Sequence, residues 1–126
     1  MPAVAAILWF DRPVADAPVA RGLANGMSRF GPGPLRVVCD GPAALGACES
    51  DLEPRRGTPS SNLAGYDAKP RIAWDGYLDN RLELAGLLRC DAVATGSMND
   101  PQLVLAAYQR WGQKCVNYLL GDFAFA

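Results

Sequence analysis

Residues 3–10, Ala-Val-Ala-Ala-Ile-Leu-Trp-Phe, form an unbroken apolar run that Asp11, Arg12 and Pro13 cut short. A run of this length suits a strand and falls far short of the roughly 20 residues a membrane helix needs. No basic leader precedes it, so a secretory signal is not the expected reading. The run is therefore expected to be a central strand covered on both faces. A chain that begins this way needs apolar cover from its later segments.

Those segments provide it. From Val14 the pattern turns helical: Val19, Leu23, Met27 and Phe30 recur three or four residues apart, Asp16 can serve as N-cap, and Pro18 fits the first turn. Gly31-Pro32-Gly33-Pro34 ends that helix. Leu35–Cys39 and Ala43–Cys48 flank Asp40-Gly41-Pro42 and read as a hairpin, since Gly supplies the positive φ of a tight turn. Residues 49–69 carry Pro54, Gly57, Pro59 and Gly65 without any period and read as a long surface loop. Arg71 to Trp74 returns to strand before Asp75-Gly76, and a helix is expected from about Asn80 with Leu82, Leu84, Leu87 and Leu88 on its apolar side.

Asn99-Asp100-Pro101 is a strong helix start, because Asn or Asp can accept the orphan amide bonds and Pro suits the first turn. Leu103, Val104, Ala107, Tyr108 and Trp111 continue a helical stripe to a C-cap at Gly112. Cys115 to Leu120 reads as a short helix or turn, and Phe123 to Ala126 as the beginning of another strand, so the domain is expected to be incomplete. Strands in succession with two helices gathered after them predict an α+β fold.

Composition narrows the function classes. A chain of 126 residues is one domain in size, with half its residues hydrophobic and a fifth charged. A net charge of −1 and pI near 5.3 give phosphates no reason to bind, and the basic pair Arg55-Arg56 reads as a solvated loop. Neither a nucleic acid nor a membrane is an expected partner. Cys39, Cys48, Cys90 and Cys115 form no CxxC pair and the chain has no His, so ordinary zinc spacings cannot be built. Free thiols suit a cytoplasmic protein.

Asp75, Asp79 and Glu83 could form a carboxylate cluster for acid–base or metal chemistry, although turn and cap duties also account for them. Trp9, Trp74 and Trp111 read as core, because no basic groove accompanies them. Cys48 reads as a small buried hydrophobe.

Three segments in order carry a resemblance: Met-Pro-Ala-Val-Ala-Ala-Ile at the start, Trp74-Asp-Gly-Tyr-Leu-Asp-Asn-Arg-Leu-Glu-Leu84, and Asn99-Asp-Pro-Gln-Leu-Val-Leu-Ala-Ala-Tyr-Gln-Arg-Trp-Gly112 followed by Gly121-Asp-Phe-Ala-Phe-Ala126. They resemble the class II glutamine amidotransferase domain of the asparagine synthetase family, with its MCGIAGI-like strand, its NGEIYN-EL or DGRLDNR-EL stretch and its GDFAFA. The DG-x-LDNR-EL form is most similar to the lasso-peptide macrolactam synthetases, alongside the β-lactam synthetases. The resemblance implies an N-terminal-nucleophile-type αββα sandwich of antiparallel sheets, here a single incomplete domain over 1–126, truncated on its C-terminal side. It also implies a separate synthetase domain, absent from this chain, which would use ATP and Mg.

The same resemblance assigns a site. Active members place a Cys after Met1, whose thiolate attacks the glutamine amide while its own α-amine acts as base. Here that position is Pro2, which has neither sulfur nor a primary amine, so no catalytic residue is expected. The RHRGPDG stretch corresponds to Arg29-Phe-Gly-Pro-Gly33, and the stretch with the carboxylate-clamping Arg corresponds to Ala44-Leu-Gly-Ala-Cys-Glu-Ser50, which has no cation. The oxyanion pair maps onto Asp75-Gly76, where an ionised Asp cannot donate and only the Gly76 amide remains. Asp100 matches the carboxylate that holds the substrate ammonium, but with the rest of the pocket gone the plain duty of a helix N-cap or first-turn acid explains it better. Asp75, Gly76 and Asp100 thus form the expected vestigial pocket.

The resulting expectation is a non-catalytic domain of an ATP-dependent amide-forming ligase, a lasso-peptide cyclase first of all, with the synthetase domain and a precursor peptide as partners. The alternatives are a fragment of a glutamine-hydrolysing asparagine synthetase and a stand-alone module that binds an amino acid or peptide.

Overall fold

A computed structural model describes residues 3–11, 13, 17–30, 35–48, 63–64, 70–90 and 97–126. Two antiparallel three-stranded sheets stand between helical layers. In the first sheet, strand β1 (Ala3–Leu8) and strand β2 (Leu35–Asp40) flank strand β3 (Ala43–Cys48), and Ala3 and Leu35 both stand opposite Cys48. In the second, strand β5 (Ile72–Leu78) lies between the two-residue strand β4 (Leu63–Ala64) and strand β6 (Gly121–Phe125).

Strand alternation sets the layers. On one face of the first sheet, Ala3, Ala5, Ile7, Leu35, Val37, Ala44 and Cys48 pack with Leu23 and Met27 of helix α1 (Ala17–Met27). That helix seats closely because Gly46 leaves room: a Cβ there would stand 2.7 Å from Met27 Sδ. On the other face, Val4, Val38, Leu45 and Ala47 meet Ala73 of β5. The opposite face of β5 presents Ile72, Trp74 and Leu78 to Leu84 and Ala85 of helix α2 (Arg81–Leu88), to Leu103, Val104 and Ala107 of helix α3 (Asp100–Trp111), and to Cys115 and Leu119. The order is therefore helix, sheet, sheet, helices.

The hairpin forms as expected, with Gly41-Pro42 between Asp40 and Ala43 and Gly41 at φ 55°. Helix α3 starts where expected and carries a full capping box: the Gln102 N–H donates to Asn99 Oδ1 at 3.0 Å, and the Asn99 N–H donates to Gln102 Oε1 at 2.9 Å. Leu23 and Met27 are buried as the helical stripe requires. Trp74 is core and stacks on Phe123 at 5.2 Å, Trp111 stacks on Tyr118 at 4.2 Å, and Trp9 packs against the α1 layer. Cys48 is buried among apolar neighbours.

Several expectations are corrected. β1 flanks its sheet and β3 is central, and Leu8 and Phe10 are 55% and 94% exposed. An apolar run reports burial without reporting position in the sheet, and the small residues of β3 suit the strand with a layer close on each side. β5 runs on through Asp75-Gly76 to Leu78, and β6 begins at Gly121 rather than Phe123. Within the stretch read as loop, Leu63–Ala64 pairs with β5. The apolar side of α2 is Leu84, Ala85 and Leu88, whereas Leu82 and Leu87 face outward, because an eight-residue helix with four leucines leaves its core side ambiguous in sequence. Asp16, Gly31 to Pro34, 49–62 and 65–69 lie outside the described residues.

These placements separate two leucines two residues apart. Leu84→Ala is expected to cost about 2–5 kcal/mol through lost burial and a residual cavity. Leu82→Ala, 76% exposed, should stay within about 0.5 kcal/mol. Urea unfolding midpoints of the two variants check the difference.

Candidate functional site

Asp75 and Gly76 lie in β5, and Asp100 is the first residue of α3. The ladder between β5 and β6 governs which way each backbone group points. Ala73 and Ala126 exchange both backbone bonds, at 2.9 and 3.0 Å, and the Asp79 N–H donates to the Leu120 carbonyl at 2.8 Å. In antiparallel pairing, bonded and non-bonded pairs alternate, so Asp75 and Tyr77 are also turned toward β6 while Trp74, Gly76 and Leu78 direct their amides away from it.

Two of the outward backbone groups have side-chain partners. The Trp74 indole Nε1–H donates to the Gly76 carbonyl at 3.1 Å, and the Leu78 N–H donates to Asp100 Oδ2 at 2.9 Å. The Gly76 amide points the same way as Leu78, on the edge that leads toward α3.

Gly76 itself is fixed by a close approach of backbones. Its φ is 118°, and a Cβ would overlap the Asp122 carbonyl oxygen and come 2.6 Å from the Phe123 Cα. Gly121 meets the same constraint from the other strand, at φ 147° with the Tyr77 carbonyl in its way. The two glycines let the strands press together where the chain turns into α2. A conformational requirement thus accounts for both glycines.

Asp75 has the same strand parity as Ala73, which packs between the two sheets. Burial pushes the Asp75 carboxyl above its ordinary value, because desolvation disfavours the charged form.

Asp100 is fully engaged. Asn99 performs the capping, which frees the Asp100 carboxylate to turn toward β5 and α2. While Oδ2 takes the Leu78 N–H, Oδ1 forms an ion pair with Arg81 Nη1, and Arg81 Nη2 donates to the Met98 carbonyl at 2.7 Å. The two side chains are 14% and 21% exposed. Burial lowers the Arg81 pKa from its high ordinary value, and a guanidinium with that starting point stays charged at neutral pH. Beside this clasp, Asn80 accepts from the Leu120 N–H at 3.0 Å and donates to the Tyr118 carbonyl at 2.9 Å.

Sequence reasoning missed Arg81. The signal was present: a cation at the start of a helix opposes the helix dipole and calls for a nearby carboxylate. Asp79 and Glu83 are exposed and do not join Asp75, and no group of three His, Cys, Asp or Glu side chains that could hold a metal is found among the described residues. Pro2, Gly31 to Gly33, Glu49 and Ser50 lie outside the described residues, Arg29 sits exposed in a 3-10 turn after α1, and Ala44 to Cys48 form most of β3.

An open groove of about 570 Å³ lies elsewhere, lined by Val38, Asp40, Ala43, Leu45, Pro70, Arg71 and Ala126. Arg71 Nε and Asp40 Oδ2 stand 3.6 Å apart in its wall. It sits at the hairpin end of the sandwich and contains none of Asp75, Gly76 or Asp100.

Residues 62–126, just over half the chain, match the glutamine amidotransferase domain. Among curated proteins there is no significant match.

Two substitutions probe the β5 geometry. Gly76→Ala places a methyl group against backbone at positive φ and is expected to cost more than about 1 kcal/mol. Asp75→Asn should stabilise the fold at neutral pH. A carboxyl whose folded pKa exceeds its unfolded value binds protons more tightly when folded, so the wild type loses stability as pH rises from the ordinary carboxylate range through the raised folded pKa. Thermal melts from pH 3 to 7 should show that loss in the wild type and a smaller one in Asp75→Asn.

Proposed function

The chain belongs to the class II glutamine amidotransferase domain family, and from that premise we propose that it is a non-catalytic glutaminase-like domain of an ATP-dependent, amide-forming ligase of the asparagine synthetase type. The observation that carries the reading is Pro2 at the position the family uses for its nucleophile. Proline carries no sulfur and cannot form a thioester with a carboxamide.

The rest of the site supports it. An oxyanion needs donors, and Asp75 presents a carboxylate where the family presents an amide, which leaves the Gly76 N–H as the one donor of that pair. Burial raises the Asp75 pKa, and the carboxyl becomes a donor only where acid protonates it. Asp100, the position matched to the substrate ammonium, already holds a cation. The family also implies an N-terminal-nucleophile-type fold, with which two antiparallel sheets between helical layers agree.

The DG-x-LDNR-EL form favours a lasso-peptide cyclase as the parent activity. In that reading this domain braces a synthetase domain and helps enclose a precursor peptide, in the cytoplasm. ATP and Mg would belong to the synthetase domain. Among the described residues of this chain no group of three His, Cys, Asp or Glu side chains could hold a metal. No helix among them is long and apolar enough to cross a membrane.

Incubation with glutamine is expected to release no glutamate, and Pro2→Cys alone should not restore release, because Asp75 and the filled Asp100 position remain. Enzyme-coupled detection of glutamate checks both. Release by the wild-type chain that depends on residues around Pro2 would return the domain to the active glutaminases.

A further inference from the structure

We propose that the Arg81 guanidinium is a built-in occupant of the Asp100 carboxylate, closing that position to any incoming ammonium group. The proposed function enters only in identifying the ligand excluded, and to that extent the inference rests on it. The occupancy itself is a matter of this chain's own geometry.

Both oxygens of the carboxylate face groups of the chain itself. Oδ2 takes the Leu78 N–H, Oδ1 faces Arg81 Nη1, and the second guanidinium nitrogen is anchored on the Met98 carbonyl. The cation is thus held from two sides and shielded with its partner. It comes from the first residue of α2, whose position is fixed independently by Asn80 bridging to Tyr118 and Leu120. An ammonium could reach Oδ1 only by expelling a cation that pairs with no second carboxylate among the described residues. A buried charge left unpaired in this way opposes exchange strongly. Alternatively the ammonium would have to settle beside the guanidinium, where like charges repel.

The closed position differs from a missing nucleophile. Loss of sulfur at position 2 stops chemistry but leaves binding possible. An internal cation on Asp100 removes the binding itself. The two defects are separable by experiment.

Methylammonium is the probe of choice, because it tests the cation position without a carboxamide. In Arg81→Met, which keeps an apolar stem and removes the charge, methylammonium and glutamine are expected to bind saturably in NMR titrations, at least about tenfold more tightly than in the wild type. The double variant Arg81→Met/Asp100→Asn should lose that binding. In the wild-type chain the Arg81 Nε signal should not move as methylammonium is added. Equal binding by wild type and Arg81→Met, binding by neither, or displacement of the wild-type Arg81 signal would each overturn the proposal. Should Arg81→Met fail to fold, the wild-type Arg81 signal decides alone: constancy supports the proposal and displacement defeats it. Glutamate release reports on the missing nucleophile and methylammonium binding on the occupied carboxylate, so failure of one reading is distinguishable from failure of the other.

Discussion

Strand β5 is covered on both faces, and the two cores meet across it. Ala73 packs into the layer between the sheets while Ile72, Trp74 and Leu78 pack beneath α2 and α3. A strand in that position has no solvent face on which to place a polar residue cheaply. The departures from apolar character, Asp75 and Gly76, therefore fall where cover runs out and the strands pinch together. Gly76 and Gly121 make the pinch possible, since a Cβ on either would strike the backbone of the other strand. The site's position is a consequence of how the double-sided strand ends.

The same end of β5 organises the helices. Leu78 directs its N–H to Asp100 at the start of α3, and Asp100 in turn holds Arg81 at the start of α2. A strand edge and two helix beginnings are joined through one carboxylate. Such a joint is costly to build, because both charges lose water, and costly to half-remove, because the survivor stays buried. The Asp100 carboxylate is thereby committed to the fold.

Much of this was legible in sequence wherever the signal was local. The α3 start was readable from Asn99-Asp100-Pro101, since capping depends on residues three apart, and the hairpin from Asp40-Gly41-Pro42, since a two-residue turn needs its own backbone angles. The identity of Pro2 is likewise read without any coordinates, because it concerns which atoms a residue possesses.

Tertiary structure decided what depends on distant partners. That β1 flanks β3, that α2 buries Leu84 and exposes Leu82, and that Arg81 meets Asp100 from a different helix could not be read locally. Apolar patterning states that a residue is covered but not by which layer. A charged side chain announces that it needs a partner, and only the packing of α2 and α3 against β5 determines that the partner of Arg81 is Asp100.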